Sequence, residues 1–138
     1  MKVINRFILV DDEEANNFYH QIVIGGLFPE ANVMSFTDGK SALDYLKNEH
    51  SDYNQENPGF KSAILLDINM PEMNGWEFLD EYEGLDREQR ADYVIALVTS
   101  SQNPKDVEKA KSYNLVKEYV IKPLTEENLK DLIESLKK

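Results

Sequence analysis

The sequence predicts an α/β fold in which a parallel sheet is covered by helices on both faces. Three observations lead there. Five short apolar runs are each followed by a segment with helical spacing. The first, third and fourth runs are nearly all apolar, as strands buried on both faces must be. Acidic, hydroxyl and lysine residues stand just after four of the runs, where an open parallel sheet exposes its chemistry.

The elements follow in order. Residues 7–10 (Phe-Ile-Leu-Val) form the first predicted strand. Ala15, Phe18 and Ile22 then recur at helical spacing, and Gly25-Gly26 is expected to end that helix. Residues 32–36 form the second strand, and Asp38 caps a helix with Ala42, Leu43 and Leu46 on one face. The stretch from Asn48 to Lys61 is polar, contains Pro58-Gly59, and reads as a surface loop. Residues 63–66 form the third strand, and the next helix follows Gly75 with Phe78, Leu79 and Tyr82 inward. Residues 93–98 form the fourth and most apolar strand. Asn103 followed by Pro104 is a favourable helix start, although Val107 and Ala110 are the main apolar residues of the fourth predicted helix. Residues 119–121 form the fifth strand. Thr125 caps a last helix in which Leu129, Leu132, Ile133 and Leu136 follow the i, i+3, i+4, i+7 pattern. The 138 residues are expected to make a single domain with no second, output domain.

Composition narrows the function. The formal charge is −11, which disfavours nucleic-acid backbones and anionic membrane surfaces as partners. There is no cysteine, so thiolate metal sites and disulfides are excluded. No signal peptide or membrane-spanning run is visible, and a cytoplasmic location is the expectation.

The candidate chemistry lies in four groups: Asp11-Asp12, Asp67, Thr99-Ser100 and Lys122-Pro123. Any one alone reads as a cap or turn; four at successive strand ends read as one site. Crowded carboxylates repel unless a cation joins them, and Mg²⁺ (or Mn²⁺) prefers oxygen ligands. Asp12 and Asp67 are candidate direct ligands, with Asp11 acting through water and the backbone carbonyl near Asn69 completing the set. Asp67 is then a candidate nucleophile toward a phosphoryl group, with Lys122 and the Thr99 hydroxyl contacting its oxygens. Asn69 and Ser101 flank the expected path of attacking water. Trp76 is expected to pack, and His20 and His50 are too isolated to be metal ligands.

These residues resemble the receiver domain of two-component response regulators, over residues 7–136. The motifs carrying the resemblance are Val10-Asp11-Asp12, Leu66-Asp67 with Met70-Pro71 and Asn74-Gly75, Val98-Thr99-Ser100, and Tyr119-Val120-Ile121-Lys122-Pro123. The resemblance, not the residues alone, implies a flavodoxin-like (βα)5 sheet in the order 2-1-3-4-5. It implies that Asp67 accepts a phosphoryl group from a histidine kinase or histidine phosphotransfer protein. It further implies that Asp11 and Asp12 are metal-site acids and that Thr99 and Tyr119 form a switch pair. Lys122 would contact phosphate and precede a cis proline. The signal would leave through a downstream protein on the face made by the fourth predicted helix, strand five and the last helix. One departure is visible: the glycine common before strand five is missing from Asn114-Leu115-Val116-Lys117, where Asn114 is expected to supply the left-handed turn.

Two other functions compete. An aspartyl-phosphate phosphohydrolase would need a general acid near the nucleophile, where this chain has Asn69. A phosphorylation-independent binding module would need none of the acid, threonine and lysine set.

Overall fold

The computed structural model describes residues 3–56 and 59–136. The elements are β1 (Val3–Val10), α1 (Glu14–Leu27), β2 (Asn32–Phe36), α2 (Gly39–Glu56), β3 (Phe60–Leu66), α3 (Gly75–Glu83), α4 (Arg87–Arg90), β4 (Tyr93–Thr99), α5 (Pro104–Lys111), β5 (Val116–Ile121) and α6 (Glu126–Leu136). Five parallel strands lie in the order β2-β1-β3-β4-β5, as the resemblance implied. The fourth and last predicted helices are α5 and α6. The one-turn α4 was not expected.

Alternation along the central strands builds two apolar layers. Ile8, Val10, Ile64, Leu66, Ile95 and Leu97 face α2 and α3, meeting Leu43, Leu46, Phe78, Leu79 and Tyr82. Phe7, Leu9, Leu65, Ala96 and Val98 face the other way, onto Ile24 of α1 and Leu129, Leu132 and Ile133 of α6. The central strands β1, β3 and β4 are therefore covered on both faces, and their ends are where polar groups meet solvent. The predicted inward residues of α2, α3 and α6 are all buried. Asp38 caps α2 by accepting from the Ser41 amide at 2.7 Å. Thr125 and Asn128 exchange side-chain-to-amide bonds at the start of α6.

Four expectations are corrected. The residues predicted to face inward on α1 are not its buried ones: Ala15 is exposed, Phe18 is 66% exposed and Ile22 57%, while Asn17, His20, Val23 and Ile24 are buried. The inward positions nearest the strand ends hold polar side chains because Asn17 faces the Asp11 and Phe36 carbonyls and His20 lies near Lys122 and Asp11, which periodicity of apolar residues cannot register. Gly25-Gly26 does not stop α1, which continues to Leu27 and is capped by the Phe28 amide donating to the Ile24 carbonyl. The expected loop from Asn48 is instead helix as far as Glu56, because nothing in that polar stretch breaks a helix before Pro58; Asn57 and Pro58 themselves lie outside the described residues, as does the side chain of His50. Asn114 does not take the left-handed conformation, since Glu72 is the only positive-φ residue other than glycine among the described residues. Helix α5 ends instead at right-handed Ser112, whose hydroxyl and amide both donate to the Lys109 carbonyl.

Candidate functional site

Register alone brings the first two carboxylates together. Val10 and Leu66 are partners on adjacent strands, so the residues that follow them, Asp11 and Asp67, emerge side by side. Backbone bonds hold both starts: the Asp67 amide donates to the Val10 carbonyl at 2.9 Å, and the Asp11 amide to the Phe36 carbonyl at 3.1 Å. Thr99 ends β4 beside them. Lys122 follows β5, with its amide donating to the Thr99 carbonyl at 2.9 Å. The Lys122-Pro123 bond is cis. All four predicted groups thus converge at one end of the sheet.

Carboxylate oxygens of Asp11, Asp12 and Asp67 lie within 4.8 Å of one another. Asp11 is 3% exposed, Asp67 7% and Thr99 fully buried. The Lys122 ammonium bridges the cluster, 2.6 Å from Asp11 Oδ2 and 3.5 Å from Asp67 Oδ2. Burial pushes the Asp67 carboxyl above the usual carboxylate range; Lys122 opposes this, and neighbouring Asp11 adds to it. The Thr99 hydroxyl and the Asn69 amide donate to Asp67 and stabilise its charge. Three hard oxygen donors at this spacing, only partly balanced by one ammonium, suit a divalent cation such as Mg²⁺.

The loop after Asp67 is held close. Glu72 has φ of 65°, and the Met73 amide donates to the Pro71 carbonyl at 2.8 Å, which is a γ-turn. Asn74 and Glu77 then form a reciprocal cap on α3. A Cβ on Gly75 would lie 2.6 Å from the Asp67 carbonyl oxygen, so this position admits only glycine without moving the Asp67 backbone.

Sequence reasoning missed the residues that seat Asp11. The Asn16 amide lies 3.3 Å from Asp11 Oδ2. Asn17 donates to the carbonyls of both Asp11 and Phe36, tying α1 to the ends of β1 and β2. Their spacing, five and six residues after Asp11, was the available signal: it returns the first turn of a helix to the strand end. His20 is buried nearby, with its pKa lowered by burial and then by Lys122, which fits a packed neutral imidazole.

A relay leaves the site through Ser101. Its amide donates to the Thr99 hydroxyl oxygen at 3.3 Å, and its carbonyl accepts from the Tyr119 hydroxyl at 2.9 Å. Its own hydroxyl donates to Asp106 in the first turn of α5. Trp76 packs, as expected, stacking on Tyr113 and lying under the Lys109 ammonium.

Comparison with known proteins agrees with this geometry. The chain is 34% identical over 130 residues to a probable methanogenesis regulatory protein, FilR2, of Methanothrix harundinacea, covering 94% of this chain and 79% of that one. It is 32% identical over 126 residues to the response regulator Rcp1 of Synechocystis, covering 91% and 79%. The crystal structure of a two-component response regulator from Cytophaga hutchinsonii superposes with a TM-score of 0.81 at 30% identity, covering 99% of this chain and all of that one. The pattern of the response regulator receiver domain matches residues 7–134, and the chain belongs to that family.

Proposed function

We propose that this receiver domain is a phosphorylation-operated switch in which Asp67 accepts a phosphoryl group from the phosphohistidine of a histidine kinase or histidine phosphotransfer protein. The observation that carries this reading is the convergence of buried Asp67 with Asp11, Asp12, Thr99 and Lys122. An Asp67 carboxylate oxygen attacks phosphorus as the donor's N–P bond breaks, and the imidazole leaves with the electron pair. Lys122 then moves from carboxylate to phosphoryl oxygen, and the Thr99 hydroxyl donates to another. A Mg²⁺ or Mn²⁺ ion, held by Asp11, Asp12, Asp67 and the Asn69 carbonyl, would neutralise the converging negative charge. No general base is required, so the domain acts as an acceptor and not as a turnover enzyme.

Thr99 shifts toward the phosphoryl group, which disturbs Ser101 and with it the Tyr119 hydroxyl and Asp106. The response therefore appears on the face formed by α5, β5 and α6, where a downstream protein docks. Cytoplasmic signalling suits this reading. No helix among the described residues is long and apolar enough to cross a membrane.

Intact-mass spectrometry after incubation with acetyl phosphate, with and without Mg²⁺, tests the acceptor. One added phosphoryl mass is expected in the wild type with metal and none in Asp67→Ala. Labelling retained in the variant would remove Asp67 from its role. If neither phosphorylation nor a beryllofluoride complex could be obtained, the phosphorylation-independent binding module would replace this reading.

A further inference from the structure

A second charged concavity lies at the opposite end of the sheet. It is a cleft of about 480 Å³ where β3, β4 and β5 begin, beside α4. Lys61, Arg87, Arg90 and Lys117 line it, and no lining residue is Asp or Glu. The chain has 26 acidic residues against 15 basic ones, so four cations converging without a carboxylate run against its overall charge. Among the described residues none of the four forms an ion pair. Arg90 is oriented by donating from Nε to the Leu85 carbonyl at 3.1 Å. The rest of the lining is mostly apolar: Tyr82, Ala91, Tyr93, Val94, Ile95 and Leu115. The seven residues of β4 separate this cleft from Thr99, a distance of about 20 Å at the usual rise per residue.

We infer that this cleft binds a small organic phosphate, with its phosphate groups on Lys61, Arg87, Arg90 and Lys117 and its uncharged body against the apolar part of the lining. An open concavity lined by four cations and by apolar side chains suits a small ligand that carries both anionic and uncharged parts. Two arginines favour phosphate, whose oxygens match a guanidinium in pairs. The residues involved are disjoint from those of the acceptor site.

The test is an amide NMR titration of the metal-free protein with a nucleoside triphosphate, inorganic triphosphate and an oligoglutamate peptide. The nucleoside triphosphate is expected to bind with Kd below ~1 mM, weaken with salt, and perturb the starts of β4 and β5 but not residues 99–101 or 122. The triple variant Lys61→Gln/Arg87→Gln/Lys117→Gln, which keeps the Arg90 anchor, is expected to bind at least about tenfold more weakly. The control Lys40→Gln/Lys105→Gln/Lys130→Gln removes equal charge elsewhere and should bind as the wild type does. Equal weakening in both variants, no saturation, equal affinity for inorganic triphosphate, or tighter binding of the peptide would each overturn the inference.

Discussion

Helices α5 and α6 flank the same strand, β5, yet they are held by different forces. Helix α6 buries Leu129, Leu132, Ile133 and Leu136 against α1 and the sheet. Helix α5 buries only Ala110. Its other attachments are polar or aromatic: the Asn103 cap, the Ser101–Asp106 bond, Lys109 over Trp76, and Tyr113 beside it stacked on Trp76 and bonded to Asp80. Apolar burial is undirected and resists any displacement, whereas a few hydrogen bonds can be re-made after a small shift. Several of the bonds on α5 begin at the loop that carries Thr99 and Ser101. Under the proposed switch, a change at Asp67 should therefore reach α5 before it reaches α6.

The largest effect that can break this comparison is in stability. Leu132→Ala should cost about 3 kcal/mol, by loss of transfer energy and creation of a cavity. Half-buried Val107→Ala on α5 should cost less than about 1 kcal/mol. Urea denaturation of both variants measures the difference, and equal losses would show that α5 is packed as firmly as α6.

Charge at the acidic end gives the next largest effect. The folded Asp67 carboxyl binds its proton more tightly than in the unfolded chain, so its contribution favours the fold at low pH. That contribution is lost as pH rises from the ordinary carboxylate range through the raised value. Asp67→Asn should therefore stabilise the metal-free protein at neutral pH, with Lys122 retained by Asp11. The gain should vanish in acid. Thermal melts across pH check it, and a loss of stability at neutral pH would contradict the crowding of the site. For the same reason Mg²⁺ affinity should begin to fall, on acidification, at a pH above that of an exposed aspartate.

Tyr119→Phe removes the donor to the Ser101 carbonyl and should cost about 1 kcal/mol. Its sharper signature is local: hydrogen exchange should quicken in α5 and the loop before it, with α6 unchanged. The smallest expected effect lies in the caps. Asn103→Ala and Thr125→Ala should each cost roughly 0.5–1 kcal/mol. Fraying should spread along all of α5 but stop within the first turn of α6, where Leu129 is already buried.

The acidic, threonine and lysine residues of the site were legible because each stands at a strand end, a place that hydrophobic runs mark clearly. Asp11, Asp12, Asp67, Thr99 and Lys122 were all named from that signal and all meet in one place. The buried face of α1 was not legible. Its inward residues Asn17 and His20 are polar because they face carbonyls and charges supplied by other segments, while Phe18 and Ile22 point outward. Nor did Ser101 stand out as the joint between Thr99, Tyr119 and α5, since its three bonds span partners in different elements.

By itself the sequence determined the order of the five strands and of the helices other than α4, the caps of α2, α5 and α6, and which residues gather at the site. These depend on local propensity and on period, which act within a few residues. Only the tertiary structure decided which oxygen each lysine nitrogen meets, which face of α1 is buried, and that four cations gather where β3, β4 and β5 begin. Those outcomes depend on strand register and on packing between segments far apart in the chain, and neither is written in any one stretch of residues.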